Sequence, residues 1–239
     1  MSERRVRDDQ LPKGAGSAAE VRPIPAASVI LLRGEPFEVL LMRRNETSSF
    51  VPGAWVFPGG TLDAGDVRGG EPDETALRRC ALREVFEETG IWLGTRFDGE
   101  DAARRRLLGG EAVPATLEAN LAAALDALVL TARWITPVGI PKRFDTWFFL
   151  ARASDDMDGT PDDSEGLELA WMRPEEALRR HGDGTLPMVF PTIRNLEELS
   201  SFRDGHELMK ARRGATITVT RPVLVVEHGQ KKIVIPGER

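Results

Sequence analysis

The 239-residue chain is 41% hydrophobic and 29% charged, enough for one substantial core with a modest appendage, which excludes both a wholly disordered chain and a three-domain protein. Its net charge of −6 and pI near 5.3 argue against a general binder of phosphate backbones, so no nucleic-acid partner is expected. A single cysteine, Cys80, no run near the roughly 18 apolar residues that cross a bilayer, no signal-like start in MSERRVRDDQ and neither a peroxisomal nor an endoplasmic-reticulum address in PGER lead to the expectation of a cytoplasmic location without membrane contact.

Residues 1–22 mix charge, Gly, Ala and Pro without periodicity and are expected to form a disordered leader. Short β-rich runs at PAASVILLR and FEVLLMRR, separated by GEP, predict two neighbouring strands and a turn. Glycines and prolines in FVPGAWVFPGGTLDAGD mark a loop around one brief strand, AWVF. The stretch DETALRRCALREVFEETG has no internal Gly or Pro; with Asp73 as N-cap and Gly90 as stop, it predicts a helix. A second helix is expected within the Ala- and Leu-rich residues 101–126, followed by strands at LVLTARWIT and FDTWFFLARA. The acidic SDDMDGTPDDSEG, ahead of LELAWMRPEEALRR, is expected to be a mobile loop. Residues 188–213 read as one or two helices opening at FPTIRNLEELSSF, and the tail as strands with a hairpin turn near EHGQ. Helices mixed with antiparallel-looking strands predict an α+β or layered α/β/α class, without the regular alternation of a doubly wound sheet.

On the predicted helix, Glu84, Glu87 and Glu88 stand at i, i+3 and i+4, so their carboxylates share one face while Leu82, Val85 and Phe86 point the other way. Like charges at this spacing repel, and a helix C-terminus adds an unfavourable dipole interaction. A bound cation relieves both. Oxygen-only ligands select hard ions such as Mg²⁺, which is usually shared with substrate phosphates. The neighbouring Arg83 has the planar fork to orient a carboxylate. A solvated acidic face balanced by arginines is the plain alternative, and the upstream loop decides between them.

That loop, FPGGTLDAGD, places Gly59, Gly60, Asp63 and Asp66 ahead of the helix. Here the chain resembles the Nudix hydrolases, whose signature is GX5EX7REUXEEXGU with U a bulky aliphatic residue. REVFEETGI, Arg83–Ile91, fits the second half at every specified position; Gly60 and Asp66 fit the first, with Asp where Glu is usual. Sixteen residues, Val67–Leu82, stand where the pattern has seven, and the excess, around VRGGEPDE, is read as a loop insertion before the helix. LLMRRNETSSFVPGAWVFPGGTLDAGD, RWITPVGIPKRFDTWFFLA and FPTIRNLEEL are similar to the subgroup that includes the mammalian peroxisomal coenzyme A diphosphatase.

The resemblance implies a Nudix-type α/β/α sandwich with a mixed sheet over residues 23–184. Residues 185–239 are expected to pack on it as a helical and β extension, forming a pocket or a dimer contact. It implies Mg²⁺- or Mn²⁺-dependent hydrolysis of a small-molecule nucleotide, with coenzyme A or acyl-coenzyme A as first expectation; ADP-ribose, a dinucleotide, and a silent nucleotide- or protein-binding fold are the alternatives. By the same likeness Glu84, Glu87, Glu88 and the Gly60 carbonyl are metal ligands, Arg83 the orienting arginine, and Arg83, Glu84 and Glu88 the catalytic set. Glu84 is one candidate general base; Asp162, Asp163, Glu165 and Glu168 in the acidic loop are others. Arg43, Arg44 and Arg143 are candidates for substrate phosphates. Cys80 reads as a buried structural thiol, the three histidines lack metal-ligand spacing, and Trp134 and Trp147 read as core.

Overall fold

The computed structural model describes residues 15–16, 21–48, 51–69, 73–111, 117, 119–162, 164–227 and 230–237. Most of the expected leader lies outside them; within it, Ala15 is buried and the Gly16 N–H donates to the Gly139 carbonyl at 2.7 Å.

Strand β1 (Ile24–Arg33) is the axis of the sheet. It pairs in parallel with β6 (Phe144–Arg152) along nearly its whole length, from Ile24 opposite Phe144 to Leu32 opposite Arg152. Its other edge is shared by β2 (Glu38–Arg44) and the short β4 (Gly59–Thr61), both antiparallel. β3 (Trp55–Val56) and β7 (Gly166–Met172) extend β2, and β5 (Val129–Ile135) and β8 (Val219–Thr220) extend β6, giving a mixed eight-stranded sheet. A separate hairpin joins β9 (Val223–Glu227) to β10 (Gln230–Val234).

Both faces of this sheet are covered, which explains why β1 reads as a nearly continuous apolar run. Ala27, Val29 and Leu31 pack with Phe149 against Leu77, Val85 and Phe86 of α1 (Glu74–Thr89). Ile30 and Leu32 face the opposite way, toward Leu196, Leu199 and Leu208. Those leucines belong to α5 (Phe190–Leu199) and α6 (Gly205–Arg212), the two helices that follow α4 (Pro174–Gly182). The layering is thus α/β/α within the α+β class.

The one helix expected within residues 101–126 is broken: the described residues include α2 (Glu100–Leu108) and α3 (Ala122–Ala127) as separate helices. The reason is local: Gly109–Gly110 close α2, with Gly110 at φ 77°. The acidic loop is also tied down. Arg33 meets Asp158 at 2.7 Å, the Gly34 N–H donates to Asp155, and the Thr160 N–H donates to the Thr89 carbonyl. Among the described residues no helix is long and apolar enough to cross a membrane.

Candidate active site

Helix α1 starts where Asp73 accepts the Ala76 N–H at 2.8 Å and stops at Gly90, whose φ of 70° suits the left-handed cap. Leu82, Val85 and Phe86 anchor it under the sheet, and Glu84, Glu87 and Glu88 emerge toward the strand–turn Gly59–Asp66. Of the sixteen residues between Asp66 and Arg83, the nine of Glu74–Leu82 belong to the helix. The insertion expected around VRGGEPDE thus lies ahead of the helix, with residues 70–72 outside the described ones. It does not separate the two halves of the motif: Asp66 grips Arg83 through two parallel hydrogen bonds, Nε to Oδ1 at 3.0 Å and Nη2 to Oδ2 at 2.8 Å. Asp66 is only 1% exposed, so this fork is held away from water.

Arg83 continues outward from that grip. Its Nη1 reaches Glu84 Oε1 at 2.9 Å and Glu87 Oε2 at 3.1 Å, and Nη2 donates to the Thr61 carbonyl. One guanidinium thus holds two of the three glutamates. The third is turned away: Glu88 is 3% exposed, its Oε2 accepts the Gly59 N–H at 2.7 Å, and its Oε1 has no hydrogen-bond partner among the described residues. Glu84 and Glu88 flank the Gly59–Gly60 backbone, while Glu87 sits on the Arg83 flank, and among the described residues no three acidic, histidine or cysteine side chains form a ready-made metal cluster.

The electrostatics follow this division. Burial, then the charges of Glu87 and Glu165, push the Glu84 carboxyl up to about 7 against the pull of Arg83. Burial and the neighbouring Glu84 charge push Glu88 well above the usual carboxylate range despite the Gly59 N–H. Glu87 is raised chiefly by burial, with Arg83 opposing. Two buried carboxylates that resist ionisation, one with an orphaned oxygen, suit a divalent cation; the acceptor-only, all-oxygen donor set suits a hard one. A side chain at Gly60 would have to displace the Glu84 carboxylate, because a Cβ there would press on Glu84 Oε1. That closeness puts the Gly60 backbone within reach of the same ion.

The other predicted residues separate cleanly. A cleft of about 510 Å³ opens beside Gly59, Gly60 and Glu84, lined also by Arg44 and Glu165. Arg44 is aimed there where β2 slips its register against β7 between Arg43 and Arg44. Arg43 instead pairs with Glu46 at 2.6 Å and does not line the cleft. Arg143 is corrected outright: it is 8% exposed, with Nε donating to the Thr136 carbonyl and Nη1 to the Val21 carbonyl. It braces backbone behind the cleft wall.

Among the loop acids, Asp162 accepts from the Ser164 hydroxyl and from the N–H groups of Glu165 and Gly166. Burial alone would raise its carboxyl, but those donors outweigh burial and hold it below the ordinary range. Asp162 thereby shapes the turn that presents Glu165. Glu168 is exposed on β7 opposite Arg43, outside the cleft lining, and Asp163 lies outside the described residues. Cys80 is fully buried, its Sγ directed at the Gly60 carbonyl at 3.7 Å, and burial pushes the thiol pKa up, consistent with an inert packing role. Trp134 is buried and also forms cleft wall, while Trp147 is half-buried beneath the Arg133 guanidinium, 4.6 Å from its ring centre. The apolar half of the cleft had no sequence signal of its own, since its residues are the same types that fill a core.

Comparison with known proteins fits this geometry. The NUDIX domain family model matches residues 22–190. Putative nudix hydrolase 7 of Caenorhabditis elegans is 32% identical over 187 residues, which is 75% of this chain and 61% of that protein. Acyl-coenzyme A diphosphatase NUDT19 of Homo sapiens is 26% identical over 283 residues, 91% of this chain and 73% of that protein. The chain thus spans about three fifths of the worm relative's length. A crystal structure of a NUDIX hydrolase from Alicyclobacillus acidocaldarius aligns with a TM-score of 0.69 at 29% identity, covering 83% of this chain and all of that one.

Proposed function

The chain belongs to the NUDIX-domain family, and from that premise we propose that it is a cytoplasmic, divalent-metal-dependent diphosphatase that cleaves the pyrophosphate bond of coenzyme A or acyl-coenzyme A. Water adds across the P–O–P bridge, giving 3',5'-ADP and phosphopantetheine or its acyl form. The observation that carries the hydrolase reading is the orphaned Glu88 Oε1, buried next to the Gly59–Gly60 backbone, which with Glu84 lines the cleft. The acyl-coenzyme A diphosphatase name of the NUDT19 relatives, at 26–28% identity, supports the coenzyme A part, as does a cleft lined by both carboxylates and apolar side chains.

Glu84 and Glu88, with the Gly60 carbonyl, would hold Mg²⁺ or Mn²⁺. Bound there, such an ion supplies Lewis acidity toward phosphoryl oxygens and lowers the pKa of a water molecule. Arg83, fixed by Asp66, keeps Glu84 and Glu87 from swinging into solvent. Arg44, which lines the same cleft, would take a substrate phosphate. Glu165, on the turn shaped by Asp162, would accept the proton of the attacking water.

The test is a substrate panel of coenzyme A, dephospho-coenzyme A, ADP-ribose, NADH and diadenosine polyphosphates with Mg²⁺ and Mn²⁺. Coenzyme A or an acyl form should give the highest kcat/KM; a preference for ADP-ribose would remove the coenzyme A assignment. Glu84→Gln and Glu88→Gln should each lower turnover by about 100-fold or more with the thermal midpoint kept or raised, because each removes a carboxyl whose ionisation burial disfavours. Substantial activity in either variant would refute the metal-holding role.

A further inference from the structure

The cleft does not end at the carboxylates. It continues along the sheet face opposite α1 to a wall made by Trp134, Ile135, Ile140, Phe144, Phe190 and Ile233. These residues come from distant parts of the chain. Trp134 and Ile135 close β5, Phe144 opens β6, Phe190 is the first residue of α5, and Ile233 lies on β10 of the C-terminal hairpin. Trp134 and Phe190 meet edge to face, with ring centres 5.9 Å apart at 87°, so the wall is braced by packing.

Part of its polar surface is engaged with the protein itself. The Thr136 hydroxyl accepts the Phe144 N–H at 3.0 Å, and the Thr136 carbonyl accepts from Arg143, whose guanidinium does not line the cleft. Lys142 stands exposed at the rim, its ammonium 5.3 Å from the Phe144 ring centre. A ligand part bound against this wall meets mainly hydrocarbon and aromatic faces, with Thr146 and Thr192 as further polar neighbours. A pyrophosphate held at Glu84 and Glu88 would leave this end of the cleft to whatever is attached to it, and 510 Å³ is the volume of a pocket for a whole small molecule.

We propose that this end is a subsite for an aliphatic chain attached to the substrate, the acyl-bearing arm of the coenzyme, and that Phe190 and Ile233 make the C-terminal segment a determinant of chain preference. The proposal rests on the reading that the carboxylate end takes the pyrophosphate. A preformed apolar wall improves binding by about fourfold for each methylene it removes from water, so affinity should climb with chain length until the wall ends. Free coenzyme A, lacking that chain, should gain none of it.

The experiment has two arms. In the first, kcat/KM is measured for coenzyme A and for hexanoyl and decanoyl thioesters with the wild type, Ile135→Glu and Phe190→Ala. The wild type should favour longer chains through KM, and both variants should shrink the decanoyl-to-coenzyme A ratio by about tenfold or more. In the second, binding of cis-parinaric acid, a fluorescent fatty acid without phosphate, is titrated against the same proteins; Ile135→Glu should weaken it by a similar factor. Should Ile135→Glu fold poorly by thermal melting, Ile135→Phe, which shortens the subsite, should shift preference toward hexanoyl. A chain-length profile that is flat in the wild type, with coenzyme A still hydrolysed, would overturn the subsite alone. Parinaric acid binding that survives Ile135→Glu and Phe190→Ala would also overturn it. Parinaric acid binding that these variants weaken, with no turnover of any coenzyme A species, would keep the subsite and overturn the diphosphatase reading.

Discussion

Arg83 is the residue on which the signature helix and the turn before it meet. It sits 11% exposed between the 1% exposed Asp66 and the carboxylates of Glu84 and Glu87. Removing Asp66 would leave a buried guanidinium without its main partner, so Asp66→Asn should cost about 3 kcal/mol of stability and lower kcat by roughly 10- to 100-fold, read by denaturant unfolding and steady-state kinetics. Asp66→Glu is the control, since it keeps the charge. Glu84 yields a pH prediction. Its folded value of about 7 stands above the ordinary 4.5, so between those values the native state binds more protons than the unfolded chain. Stability from this group is complete below about pH 4.5 and declines as pH rises toward 7. Metal-free protein should lose on the order of 2 kcal/mol relative to Glu84→Gln across that window, and excess Mg²⁺ should cancel the loss; a pH-independent difference in thermal melts would count against it. The glutamates and Arg83 were legible because a helix converts spacing into direction. The fate of Arg143 was not, because nothing in its neighbours' identities says that the Thr136 and Val21 carbonyls will close around it.

Helix α1 is legible at both ends because capping is local chemistry. Asp73→Ala should cost about 1 kcal/mol, measured by denaturant unfolding, through the lost bond to the Ala76 N–H. Gly90→Ala should cost at least about 1 kcal/mol, since φ is 70° and a Cβ would lie 2.8 Å from Arg104 Nη1. That arginine also holds the Glu87 and Thr160 carbonyls, so the same variant should loosen the acidic loop and lower kcat more than it raises KM. The loop itself was misjudged from sequence. Its composition is that of a mobile segment, yet Arg33, Thr89 and Arg104, each remote in sequence, tie it to the sheet and to α1. The break between α2 and α3 was missed although Gly109–Gly110 announce it; the high helix propensity on either side masked the signal.

At the scale of the whole molecule, the segment after residue 184 is part of the core. Leu186, Met188, Leu196, Leu199 and Leu208 pack in one cluster with Ile30, Leu32 and Leu41. A chain ending at residue 184 should therefore expose the second sheet face and lose cooperative unfolding in thermal melts, and Leu196→Ala in the full chain should cost about 2–5 kcal/mol. The amino-acid sequence by itself determined the signature helix, its caps, the strand runs of β1, β2, β5 and β6, and the carboxylates that face the Gly59–Gly60 turn, because each depends on residues within a few positions of one another. Only the tertiary structure decided that Asp66 reaches Arg83 across sixteen residues, that Glu88 parts company with Glu87, which arginine borders the cleft, and that Phe190 and Ile233 complete its apolar wall. Those outcomes depend on contacts between residues far apart in the chain, where packing and desolvation choose among side chains that local pattern leaves equivalent.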